Sequence, residues 1–202
     1  MKKLIYSILT LILGLVLSSG SCTHDAYDPN VYGVVINGVT WAKCNVDAPG
    51  TFATDPYKAG MFYQWNRKKG WPATGAAVTG WNAILPTGTT WASENDPCPS
   101  GWRVPSKVEL ESLLAKFDRF TIYSGVNGVY FKDGVNEIFL PVVGQRAATN
   151  GSLYVDGIYT EYWSSTPDAS NCGYTLTFNY GINKYIGNSG AAFGFPVRCV
   201  KK

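Results

Sequence analysis

From Tyr32 onward the apolar positions fall in short runs separated by glycine-containing pairs, the pattern of strands joined by tight turns. Val34-Val35-Ile36, Asn37-Gly38 and Val39-Thr40-Trp41 predict a hairpin, because Asn-Gly supplies the two positive-φ positions of a type I′ turn. The same device predicts hairpins at Asp133-Gly134, between Val129-Tyr130-Phe131 and Val135 to Leu140, and at Asp156-Gly157, between Leu153-Tyr154 and Ile158-Tyr159. Three hairpins imply antiparallel sheet. One segment has a different period. Ser106-Lys107-Val108-Glu109 is a capping-box signature, and Leu110, Leu113, Leu114 and Phe117 follow at helical spacing, predicting a helix of about three turns with one face for a sheet to cover. Residues 66–101 are irregular, with Trp71, Trp81 and Trp91 set among Gly, Pro and Thr. Large aromatic side chains can pin such backbone. The whole reads as a single α+β domain, mostly β.

The first residues change the picture of where this domain sits. Lys2 and Lys3 precede an apolar stretch, Leu4 to Leu17, and Ser18-Ser19-Gly20-Ser21 leads to Cys22. That is the layout of a signal peptide, too short for the roughly 20 apolar residues of a membrane span. The small residues before Cys22 resemble a bacterial lipoprotein signal, which predicts removal of residues 1–21, lipidation of Cys22, a tether over 22–31 and a domain over 32–202. Outer-membrane localisation, exposed at the surface, is the expectation. Lys2 and Lys3 are two of the 17 basic side chains, so the processed chain holds 15 against 14 acidic ones, a net +1. No nucleic-acid partner is expected.

Five cysteines leave one over in an exported chain, and lipid on Cys22 would leave Cys44, Cys98, Cys172 and Cys199. Four thiols allow three pairings. No CxxC is present and the sole histidine is His24, which gives zinc and thioredoxin-like readings little support.

Several blocks together resemble the Fibrobacter succinogenes major paralogous domain family. They are Val39-Thr40-Trp41-Ala42 with Asn45-Val46, Tyr63-Gln64-Trp65-Asn66, the run from Asp96-Pro97-Cys98 through Trp102 to Ser106, Tyr162-Trp163-Ser164-Ser165-Thr166, and Gly194-Phe195-Pro196-Val197-Arg198-Cys199-Val200. The resemblance covers about residues 32–201. It implies a C-type-lectin-like fold of small antiparallel sheets with one or two helices and long irregular loops. It also implies that Cys98 pairs with Cys199, leaving Cys44 with Cys172.

The chemistry the residues permit is limited. With His24 in the tether, a Ser-His-Asp or Cys-His arrangement is not available inside the domain, and no catalytic residue or cofactor is expected. Glu94 with Asp96, and Asp156, Glu161 and Asp168, are carboxylates that fit solvated loops better than a glycosidase pair. The calcium-dependent lectin triplets are missing, so no metal is assigned; Glu94-Asn95-Asp96 is merely oxygen-rich. Residues 171–190 are rich in Asn, Tyr, Gly and Ser, the mix of adaptable binding loops, although Asn and Gly also mark turns and Tyr favours strands. Their composition also fits a diversified ligand-binding segment. The expected function is a surface binding module for a glycan or protein ligand. Trp71, Trp81, Trp91, Tyr174, Tyr180 and Tyr185 would give contact area, and Asn179, Asn183 and Asn188 hydrogen bonds. The alternative is a structural cell-envelope or fimbria-associated component.

Overall fold

The computed structural model describes residues 29–86, 88–154, 157–168 and 171–202. The expectations for residues 1–21, Cys22, His24 and Asp156 lie outside the described residues. A single helical turn, α1 (Pro29–Tyr32), leads into a four-stranded sheet of β1 (Gly33–Ile36), β2 (Val39–Ala42), β15 (Val200–Lys201) and β5 (Trp102–Arg103), in the order β1-β2-β15-β5. A second sheet runs β10-β9-β14-β3-β4, from β3 (Met61–Gln64), β4 (Gly70–Pro72), β9 (Gln145–Arg146), β10 (Leu153–Tyr154) and β14 (Gly194–Phe195). Two three-stranded meanders complete the set. They are β6 (Phe117–Tyr123), β7 (Val126–Asp133) and β8 (Asn136–Pro141), and β11 (Tyr159–Asp168), β12 (Cys172–Asn179) and β13 (Asn183–Gly190).

This overturns the α+β, C-type-lectin-like class expected from the sequence. Strand accounts for 45% and helix for 8%, which makes the fold β-rich. The helix is shorter than its apolar spacing suggested: α2 (Lys107–Leu114) stops after eight residues, and Phe117 opens strand β6. Its start is as predicted. Glu109 N–H donates to Ser106 Oγ at 3.3 Å, and Ser106 N–H donates back to Glu109 Oε2 at 2.8 Å. Leu110 and Leu113 are fully buried in a cluster with Tyr162, Leu176 and Phe178, so α2 covers one face of the β11-β12-β13 meander.

Turn chemistry explains the hairpins. Asn37 and Gly38 have φ of 50° and 78° and close Ile36 opposite Val39. At the second, Asp133 pairs with Asn136, so the loop is Gly134-Val135, one residue later than expected. The third is not formed: Leu153 and Tyr154 pair with Arg146 and Gln145, while Tyr159 pairs with Asn179. A hairpin the sequence reading missed joins β6 to β7 through Ser124-Gly125, both at positive φ.

Two apolar clusters form the core. One gathers Trp65, Trp102, Trp163, Phe195 and Val197 around the Cys98–Cys199 disulfide; the other gathers α2, Ile36, Trp41, Phe131 and the buried face of β11 and β12. That disulfide, with Cα atoms 6.1 Å apart, is the one the resemblance implied. The second implied pairing is not: Cys44 is disulfide-bonded and fully buried, whereas Cys172 keeps its thiol, so the two are not joined to each other. Register gives the reason. Cys172 sits at the outer end of β12 opposite Asp168 and Gly190, while Cys44 follows β2 in the first cluster.

Two arginines are fully buried and are met by uncharged acceptors. Arg146 donates to the carbonyls of Pro72, Thr74, Gly75 and Gly151, which pins the irregular 66–101 segment to the second sheet. Arg198 donates to Asn45 Oδ1 at 2.9 Å and to the carbonyls of Ala42 and Lys43. Burial pushes its pKa down to about 10, so it stays cationic at neutral pH.

Candidate binding site

The residues expected to form one binding surface divide into three groups. Trp71 is buried, its ring 5.0 Å from that of Trp81, and Trp81 Nε1 donates to Ala148 O at 2.9 Å. Trp91 packs edge-on against Trp65 at 5.7 Å and donates to Asn95 O. These indoles therefore hold the 66–101 segment in place and are turned to the protein. In the β11-β12-β13 meander the period-two rule separates the others. Asn179, Asn183 and Tyr185 share a face with Glu161 and Ser189, and Tyr174 and Asn188, opposite each other in the register, lie on the face that carries Leu176. Tyr174 lies under Lys107 Nζ at 4.4 Å, and Asn188 donates to Asp168 at 2.8 Å. Tyr180 packs edge-on to Phe120 at 5.5 Å. Asn183, Tyr185 and Asn188 are the exposed members, the first two at the hairpin end of β13.

The structure brings other residues together. A cleft of about 320 Å³ is lined by Trp65, Pro86, Thr89, Pro167, Asp168, Asn171 and Cys172 among others, at the end of β11 and the start of β12. Trp65 sits 3% exposed at its floor, held by Nε1–H donating to Ser164 O at 3.0 Å. Gly173 is what lets the indole approach, since a Cβ there would stand 2.2 Å from Trp65 Cδ1. Asn171 takes φ 58°, the left-handed turn that starts β12. Of these, Asp168 had been noted only as a loop acid. Asn171 lies within the Asn- and Tyr-rich stretch, and Trp65 was visible as part of Tyr63-Gln64-Trp65-Asn66; their meeting was not visible, because it joins distant segments.

The acids are differently placed than solvated loops would suggest. Glu161 is 4% exposed and accepts from Tyr159 Oη at 2.5 Å and from Ser189 Oγ at 2.8 and 3.0 Å. Burial, then the Glu161 carboxylate, raises the Tyr159 pKa. Asp96 spends its two oxygens on the Cys98 and Val104 N–H groups, at 2.9 and 3.2 Å, and burial raises its pKa against those bonds. Burial and the nearby Asp168 raise the Cys172 thiol, which keeps it protonated at neutral pH. No group of three His, Cys, Asp or Glu suited to a metal ion occurs among the described residues. Nor is any helix among them long and apolar enough to cross a membrane. What the cleft offers is an indole floor, proline walls, and a carboxylate, an amide and a hydroxyl that can accept or donate hydrogen bonds. No family model, curated protein or solved structure matches the chain.

Proposed function

We propose that this chain is a non-catalytic binding module at the outer surface whose cleft takes a glycan ligand. The observation that carries the reading is the cleft in which Asp168, Asn171 and Thr89 stand around Trp65. Sugars present apolar C–H faces that pack on aromatic and proline surfaces, and hydroxyls that pair with carboxylate and amide groups. Binding of the purified chain to a glycan panel, with and without EDTA, tests the reading. The expected result is binding that survives EDTA, falls about tenfold or more in Asp168→Ala and Asn171→Ala, and persists in Tyr180→Ala. Equal binding by wild type and Asp168→Ala would remove the cleft from consideration.

A second reading, a structural envelope or fimbria-associated component, has one observation in its favour. Ile158 and Ile182, 49% and 72% exposed, lie at the end of the β12–β13 hairpin, where Tyr180 N–H donates to Ile158 O. A stable oligomer that dissociates in Ile182→Asp would favour it over ligand binding.

A further inference from the structure

Beyond Pro86, on the side away from the Asp168 cleft, lies a second and shallower depression of about 480 Å³. Its lining includes three consecutive cations, Arg67, Lys68 and Lys69, together with the amides of Asn66, Asn82 and Asn95. No carboxylate lines it, and none of these cations joins an ion pair among the described residues. The cluster is not a by-product of a basic chain, since the 17 basic side chains face 14 acidic ones and two of the 17 precede residue 4. Three like charges in one turn repel each other, and the fold nevertheless fixes where they stand. Asn66, at φ 54° and buried, turns the chain out of β3. Arg67 is then committed inward, its guanidinium donating to Gln64 Oε1 and to the carbonyls of Asn82 and Ile84. Lys69 Nζ is held 4.0 Å over the Trp71 ring, and Lys68 is exposed.

We infer that this depression binds an acidic saccharide, one carrying carboxylate or sulfate groups. The two ammonium groups would pair with its acid substituents and the Asn82 Nδ2 and Asn95 Oδ1 atoms with its hydroxyls; Asn66 Oδ1 is held by Ala92 N–H and Asn95 Nδ2, and Arg67 acts as a positioning residue for the rim. An uncompensated cation cluster beside low-dielectric walls concentrates anions and makes binding salt-dependent. The inference does not depend on the Asp168 cleft: Asp168→Ala disables that site and leaves this one intact.

The experiment titrates the full-length protein with heparin, polygalacturonate and neutral dextran at about 0.05 and about 0.3 M salt, between which the screening length shortens by about 2.5-fold. Binding of either acidic polymer but not dextran is expected, weaker at the higher salt. The double substitution Lys68→Gln with Lys69→Gln should weaken it about tenfold or more at unchanged melting temperature, with Asp168→Ala indistinguishable from wild type. Three results would overturn the inference: no binding of either acidic polymer, undiminished binding in the double variant, or equal binding of oligothymidylate, which would mark a surface that takes any polyanion.

Discussion

Glu161 is a nearly buried carboxylate that accepts hydrogen bonds from the neutral hydroxyls of Tyr159 and Ser189. Hydrogen bonds to a charged acceptor are worth more than those between neutral groups, and losing one exposes the desolvation cost. Ser189→Ala should therefore lower unfolding stability by about 1–3 kcal/mol in urea titration. Gly173→Ala tests the cleft floor. Its new methyl would overlap Trp65, so stability and glycan binding should fall together. Gly181→Ala, where no atom lies within 4 Å but φ is 74°, should cost only the left-handed strain of about 1–2 kcal/mol and leave binding unchanged. At this scale the sequence was least informative. Arg198 and Asn45 stood in two quoted motifs, yet their hydrogen bond spans 153 positions and no local pattern encodes it. The three tryptophans of 66–101 were legible as pins; they were misread as contact area because composition carries no direction for a side chain.

The element whose start was best specified is α2. Ser106→Ala removes the cap and should cost about 1 kcal/mol, read as a lower denaturation midpoint at unchanged slope. Glu109 adds a pH dependence. Its carboxylate is partly desolvated, which raises its pKa, but the bonds from Arg103 and Ser106 prevail and hold it below the ordinary 4.5. A lowered folded pKa means stability present in full above 4.5 and lost as the pH falls through the folded value. Glu109→Gln should flatten that acid limb, measured as melting temperature against pH. Asp96 has the opposite sign, its raised pKa favouring the fold less as the pH rises, so the Glu109 effect is best read as a difference between variants. Asn37-Gly38 and the capping box were legible because each satisfies a local demand, positive φ or orphan N–H groups. The β6–β7 hairpin carried a weaker signal of the same kind in Ser124-Gly125. Phe117 continued a helical spacing but belongs to a strand, because pairing with Phe131 in β7 outweighs the period.

Across the whole molecule, the Cys98–Cys199 bond closes a loop of 101 residues. The chain-entropy estimate for such a loop is up to about 4.7 kcal/mol, so Cys199→Ser should lower the melting temperature clearly. The cleft was not legible, since it assembles Trp65, Thr89, Asp168, Asn171 and Ala191 from separate stretches. Most of the strand content lies in the two meanders of consecutive strands, β6-β7-β8 and β11-β12-β13, which leaves α2 too short to balance it.

The placement of β15 between β2 and β5, with Val200 opposite both Trp41 and Arg103, has a kinetic consequence. Likewise β14 lies between β3 and β9. Neither sheet can be completed by zipping neighbours together; each must await a diffusive search by a distant segment whose loop entropy is lost before any contact repays it. The chain should refold in milliseconds to seconds, and until then it carries unmatched aromatic strands, a window in which a chaperone or an aggregate competes for it.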